Sequence, residues 1–362
     1  MFEALLEIFE IHSLGSLQIS LLAVLPELFL FLAISVLLLV GSSYSTSKRH
    51  GYPMLVKPIA WITIFALGLA FLLVLNNPIP HQIIFSGALI VDNFTNFIKA
   101  VVLLSSIACL AVSLDYIKQE RIHAFEYSVL IFFAVVGMLL LVSSYDLITL
   151  YLAIEMVSLS SYVLATFKRQ SAFSTEAGLK YFILGAFSSG LLLFGSSMVY
   201  GLTGTTNFGQ ISQYLTGTSG NPELISTGLV IGVLFIGMAL LFKATAAPFH
   251  MWAPDVYEGA PTIVSTFFAV VPKIAILGLF IRLFMFSFYD LVGFWQQLLV
   301  FSSLTSMVLA ALIALKQRKL KRFFAYSSVG HVGYLLVGFS TGTLEGIYAM
   351  MIYTIIYIVF LL

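Results

Sequence analysis

The sequence predicts an all-α integral membrane protein of about eleven transmembrane helices. Three observations predict it. Hydrophobic residues make up 60% of the chain and charged residues 9%, with a mean hydropathy of +1.05. A soluble domain has roughly 45–50% apolar and about 25% charged residues. The apolar residues come in continuous runs of roughly 20, the length that crosses a hydrocarbon core, and not in the alternating pattern of a membrane barrel. The basic residues between those runs fall almost entirely on one side once the helices are laid out.

Helices are expected at 21–41, 58–76 and 94–114, each an apolar run. The fourth, 127–143, and the fifth, 147–166, are parted only by a tight turn at Ser144, Tyr145 and Asp146. The sixth, 180–201, is followed by the longest polar stretch, Thr203 to Glu223, whose Gly, Thr and Ser read as a surface loop. The seventh, 225–248, carries Lys243 and reaches Pro248, which lacks a backbone N–H and so kinks or breaks a helix. The eighth, 262–286, has Pro272 beside Lys273 near its middle, and the last three run 294–315, 323–340 and 345–362. This layout puts Lys48, Arg49, Lys57, Lys118, Arg121, Lys168, Arg169, Lys180, Lys316, Arg318, Lys319, Lys321 and Arg322 on one side and Arg282 alone on the other. The first side is expected to face inward and the N-terminus outward. The final helix runs to Leu362 without a polar flank, so the chain is expected to be shorter than its relatives.

Several classes are excluded. A net charge of +1 offers no basic surface for nucleic acid. The single Cys109 rules out an internal disulfide or a thiolate-held cluster. There is no GxGxxG after a strand, no P-loop and no HExxH, so no metal site and no nucleotide or flavin site is expected in this chain. Glu3, Glu7 and Glu10 make the N-terminus acidic, unlike a secretory signal or a transit peptide.

The informative residues are the charges left inside helices. A lysine near a helix centre costs about 2.5–3.5 kcal/mol on insertion scales, so each needs a reason. Lys99 lies one turn into the third helix, near Asp92, and is expected to snorkel to the outer surface. Lys243 sits before the Pro248 break, a pattern common at ion sites in transporters, with a structural ion pair as the lesser alternative. Lys273 follows Pro272, with the same two readings. Glu155 is central in the fifth helix, with Ser158 and Tyr162 on its face, and Lys243 is its expected partner. His331 suits a proton relay or a satisfied core position. His250 would share the face of Lys243 if the helix continued, and is either a relay candidate or structural. Glu27, after Pro26, reads as interfacial or packing. Lysines and a carboxylate at membrane depth suit a proton carrier gated by charge better than an open pore.

Long motifs carry a resemblance. LFKATAAPFHMWAPDVYEGAPT (241–262), STEAGLKYFILGAFSSG (174–190), AYSSVGHVGY (325–334), AFEY (124–127) and YLAIE (151–155) resemble subunit 2 of respiratory complex I, the proton-pumping NADH:ubiquinone oxidoreductase. The wording is most similar to mitochondrial subunits of plants and protists, then to alphaproteobacterial ones. The resemblance implies an antiporter-like fold of two five-helix bundles in inverted repeat, each with a broken helix. N-terminal helices would fill 1–126, the first repeat 127–286, and an incomplete second repeat 287–362. It implies proton relay through Glu155, Lys243 and Lys273, with His331 at a family-typical position, driven by redox chemistry elsewhere. NADH, FMN, iron–sulfur clusters and ubiquinone would then belong to other subunits. The partners would be other membrane-arm subunits and the lipid bilayer, in a mitochondrial inner membrane or a bacterial plasma membrane. A cation/proton antiporter subunit and a structural subunit with an incomplete channel are the competing readings.

Overall fold

In a computed structural model, residues 18–44, 55–77, 81–119, 125–218 and 226–361 are described. Glu3, Glu7, Glu10, Lys48, Arg49, Arg121, the side chain of Lys118 and the chain end at Leu362 lie outside them. The first helices are α1 (Leu25–Tyr44) and α2 (Val56–Leu75). A two-stranded antiparallel hairpin follows, β1 (His81–Ile84) and β2 (Leu89–Asp92), with Ile83 opposite Ile90. Nothing in the apolar runs announced this hairpin, because its strands are only four residues long. Asp92 then caps α3 (Asn93–Gln119), accepting from the Thr95 N–H at 2.7 Å.

α4 (Glu126–Ser143) and α5 (Leu147–Ala165) are separated by the expected tight turn. Asp146 caps α5 by accepting from the Ile148 N–H at 2.7 Å, and Tyr145 donates its N–H to Ala88 of the hairpin at 2.9 Å. α6 (Ala172–Thr203) starts eight residues before the expected 180, capped by Ser171. Its charged first turns, Glu176 and Lys180, hid it from a reading of apolar runs. At 32 residues it spans about 48 Å, more than the hydrocarbon core, so its polar start lies outside that core. The expected loop after it contains α7 (Phe208–Thr218), an amphipathic helix that buries Phe208, Ile211 and Leu215 completely. Polar content concealed that spacing.

α8 (Thr227–Ala244) ends four residues short of the expected 248. A short α9 (Trp252–Gly259) leads to α10 (Thr262–Arg282), which keeps Pro272 inside it. α11 (Val292–Ala314), α12 (Leu320–Ser340) and α13 (Leu344–Leu361) complete the described chain. Among the described residues, 10 helices are long and apolar enough to cross a membrane. The expected tenth span, 323–340, is helical as α12 but is not one of them. Lys321, Arg322, three serines and His331 lower its apolar character, and it packs between α11 and α13. α10 with its continuation to Ser287 is the central span, 89% buried, whereas α11 and α13 are 28% buried and present apolar faces outward.

Candidate functional site

The break after α8 begins at the backbone. Pro248 has no N–H for the carbonyl of Ala244, and a residue preceding proline disfavours helix. The helix therefore closes early. Thr245 takes a left-handed conformation with φ 67°, and the Ala246 N–H reaches back to the Leu241 carbonyl at 2.9 Å. Freed backbone at this depth needs partners. Serines and a threonine of α11 supply them. Ser306 Oγ accepts from the Ala247 N–H at 2.8 Å, while Ser302 and Thr305 donate to the Ala247 carbonyl at 2.6 and 3.2 Å. The Trp252 indole donates to the Phe242 carbonyl at 3.0 Å, tying α9 to the last turn of α8.

This arrangement holds Lys243 at the end of α8. Its Nζ donates to Ser158 Oγ at 2.8 Å, and to Tyr162 OH and Ser189 Oγ at 3.5 Å. The expected ion pair with Glu155 is absent: among the described residues no carboxylate lies within 4.0 Å of the ammonium. Glu155 is half-buried, one of its oxygens has no hydrogen-bond partner, and it acts on Lys243 only through the longer-range field. Ser158 and Tyr162, one and two turns farther along α5, occupy the place next to the lysine instead. The polar stripe of α5 thus meets Lys243 through Ser158 and Tyr162 and not through Glu155.

Lys273 is 2% exposed, in the middle of α10. It donates to the Ser328 hydroxyl and, at 3.4 Å, to the Ser328 carbonyl, and it lies over the Tyr357 ring at 5.9 Å. His331 is one turn beyond Ser328 on α12. Its Nδ1 shares a 2.7 Å hydrogen bond with Tyr353 OH, its ring lies 5.0 Å from that of Tyr357, and it feels the field of Lys273. The structure thus groups Lys273 with His331 around the tyrosines of α13. Tyr353 and Tyr357 were missed, although their i, i+4 spacing on an apolar helix was a usable signal. Between the two lysines runs a belt of rings: Tyr162 against Tyr181 at 4.8 Å, Tyr181 stacked on Trp252 at 4.3 Å, and Trp252 near Tyr257 at 6.3 Å.

Two further residues are placed by features that spacing along one helix does not show. His250 does not share a helix face with Lys243, since the helix has already ended. It sits in the turn with Nδ1 buried and unpartnered, beside Tyr326. Lys99 does not snorkel to the surface. It is 1% exposed and pairs at 2.5 Å with Glu27, itself 3% exposed. Asp92, the acid near it in sequence, instead binds Arg282 at 2.9 and 3.0 Å. Burial would raise the Asp92 carboxyl, but Arg282 and the Thr95 hydrogen bonds outweigh it and hold the carboxyl below its ordinary value.

One face of the molecule carries a charged network. Asp255 of α9 meets Lys180 of α6 at 2.8 Å and also Arg322 of α12, while Glu258 meets Lys319 and, at 2.6 Å, Arg322. The starts of α6 and α12 and all of α9 therefore share this basic face, as the distribution of lysines and arginines required.

Residues 144–362 match the family described as NADH:quinone oxidoreductase/Mrp antiporter, TM. The chain is 52% identical over 341 residues to NADH-ubiquinone oxidoreductase chain 2 of Marchantia polymorpha, covering 93% of this chain and 69% of that one. It is 43% identical to NADH-quinone oxidoreductase subunit N of Paramagnetospirillum magneticum, covering 94% and 68%. A chain of respiratory complex I from Thermus thermophilus, solved with bound aureothin, superposes with a TM-score of 0.74 at 28% identity, over 93% of this chain and 69% of that one.

Proposed function

This chain belongs to the NADH:quinone oxidoreductase/Mrp antiporter membrane family, and we propose that it is a membrane-arm subunit of a proton-pumping NADH:quinone oxidoreductase that relays protons through Glu155, Lys243, Lys273 and His331. The observation that carries the reading is the company of the two lysines. Each ammonium sits at membrane depth on hydroxyls, Ser158 for Lys243 and Ser328 for Lys273. A carboxylate favours the charged lysine only, whereas a hydroxyl donates or accepts and can hold either the ammonium or the free amine. Lysines held this way can release and regain a proton without losing their place. Glu155, half-buried and outside ion-pair distance, is suited to modulate Lys243 through its field.

In this reading residues 127–286 form the first antiporter-like repeat, with the helix break at Pro248, residues 287–362 begin the second, and His250 is a relay candidate at the break. NADH, FMN, iron–sulfur and quinone chemistry would reside in partner subunits. The membrane would be a mitochondrial inner membrane or a bacterial plasma membrane, with the basic face inward. The test is the proton-to-electron ratio of the assembled complex in vesicles. Lys243→Met and Lys273→Met should each lower it while the complex still assembles, and an unchanged ratio in both overturns the reading. Sodium-dependent proton flux without NADH oxidation would favour antiport instead.

A further inference from the structure

Three helix ends meet on the face opposite the basic one: the start of α3, the end of α10 and the start of α13. A cavity of about 710 Å³ opens between them. Its charged residues are Arg282, Asp92 and Glu345, and two exposed tyrosines, Tyr289 and Tyr348, also line it. Tyrosine is enriched at the level of lipid headgroups. A narrow furrow, with about 20 Å³ of open space, continues along the same three helices. Ile98 and Val101 of α3, Leu277 of α10, and Met350 and Ile355 of α13 form its walls. Ile281 and Met351 line both spaces, which makes them one groove. From Glu345 to Ile355 the helix advances about 15 Å, half of the roughly 30 Å hydrocarbon core. The groove therefore has the length of one leaflet, with charge at its outer end and apolar walls below.

The charges at the outer end are unevenly satisfied. Arg282 is 9% exposed, and its Nη2 donates to Asp92 and Thr95. Its guanidinium lies over the Phe94 ring at 5.3 Å, and its Nε is buried without a hydrogen-bond partner. A buried donor left in this way is costly unless an acceptor reaches it. Glu345 is exposed, and among the described residues no cation lies within 4.0 Å of it. The groove thus offers a guanidinium to an anion and a carboxylate to a cation. A headgroup of net negative charge would meet two carboxylates and one guanidinium already shared with Asp92. A zwitterionic headgroup finds a complement for each of its charges.

We propose that this groove binds a zwitterionic phospholipid of the leaflet opposite the basic face, its phosphate against Arg282, its ammonium against Glu345 and one acyl chain in the furrow. Proton relay by Lys243 and Lys273 is not needed for this site, and the test does not read it. The purified complex in nanodiscs would be irradiated with phosphatidylethanolamine or phosphatidylglycerol carrying a diazirine on the acyl chain, and the labelled peptides mapped by mass spectrometry. Ile274 and Leu277 are each 3% exposed, so label on them marks a chain inside the furrow and not one passing over the surface. Phosphatidylethanolamine should label 274–281, and phosphatidylglycerol should do so about fivefold less, the worth of one ion pair near the surface. Glu345→Gln, a change at an exposed side chain, should bring the two lipids level. Ile355→Trp and Met351→Trp, which obstruct the furrow, should each remove the label, while Ile352→Trp, on the exposed side of the same helix, keeps it. No label on 274–281, as when a protein helix covers the furrow, overturns the site. So does label that survives both Ile355→Trp and Met351→Trp, which marks lipid bound without the furrow. Equal labelling by the two lipids before any substitution overturns the assignment of the headgroup.

Discussion

Three lysines, Lys99, Lys243 and Lys273, lie deep in the apolar spans, and their partners divide them. Lys99 is locked to Glu27 at 2.5 Å with both side chains almost fully enclosed, an arrangement that fixes charge and joins α1 to α3. Lys243 and Lys273 rest on hydroxyls. Removing one member of a buried pair strands the other, at about 3–5 kcal/mol, whereas replacing both with apolar side chains of similar volume is often neutral or stabilising. Glu27→Gln should therefore lower the thermal stability of the solubilised complex strongly. Glu27→Leu combined with Lys99→Met should recover most of it, with the proton-to-electron ratio unchanged. A damaged ratio in that stable double variant would move Lys99 into the transport machinery. The sequence displayed all three lysines, because a charge in an apolar run cannot be overlooked, and it displayed Glu155, Ser158 and Tyr162 on one face. It could not display Glu27 against Lys99 or Ser328 against Lys273, since those contacts join different helices and depend on packing rather than on spacing along one.

At the scale of elements, the broken helix depends on its neighbours for hydrogen bonds and on one close approach for geometry. The Ala247 N–H has a single partner, Ser306, whereas its carbonyl has two, Ser302 and Thr305. Ser306→Ala leaves a buried donor unpaired and should cost about 1–3 kcal/mol. Ser302→Ala should cost less, because Thr305 remains. Equal losses in thermal unfolding of the two variants would contradict this assignment. On the other side of Lys243, α6 crosses α5 at Gly185, where an added Cβ would stand 2.1 Å from the Tyr162 hydroxyl. Gly185→Ala must push Tyr162 aside, at about 1–3 kcal/mol, and disturb the hydroxyl cluster around Lys243. Proton pumping should fall in this variant more than in Gly190→Ala, where the space is open. Helix positions were largely legible because lipid requires about 20 apolar residues per crossing. The hairpin, α7 and the polar start of α6 were not, because they lie where that requirement lapses.

At the scale of the whole molecule, the basic face is a clamp as well as a topological marker. Through Asp255 and Glu258, the short α9 that follows the break is fastened to α6 on one side and α12 on the other. These pairs are partly exposed, so salt screens them and each alone contributes little. As a network, however, they add to the Trp252–Phe242 hydrogen bond in holding α9 in register with the site. Burial would raise the Asp255 carboxyl, but Lys180 and Arg322 outweigh it and hold it below its ordinary value. A carboxyl lowered in the folded state stabilises fully above its unfolded value of about 3.9, and that contribution is lost as pH falls through the lowered native value. Protection of 252–259 against hydrogen exchange, taken relative to the intrinsic rate at each pH, should therefore be high near neutrality, fall in acid below about pH 4, and fall with ionic strength at neutral pH. Asp255→Asn should show low protection already at neutral pH, little further loss of protection in acid, and a weaker dependence on salt. If exchange in this segment ignored both salt and the Asp255→Asn change, α9 would have to be held by Trp252 and Tyr257 packing alone, and the charged network would be no more than the mark of which way the protein faces.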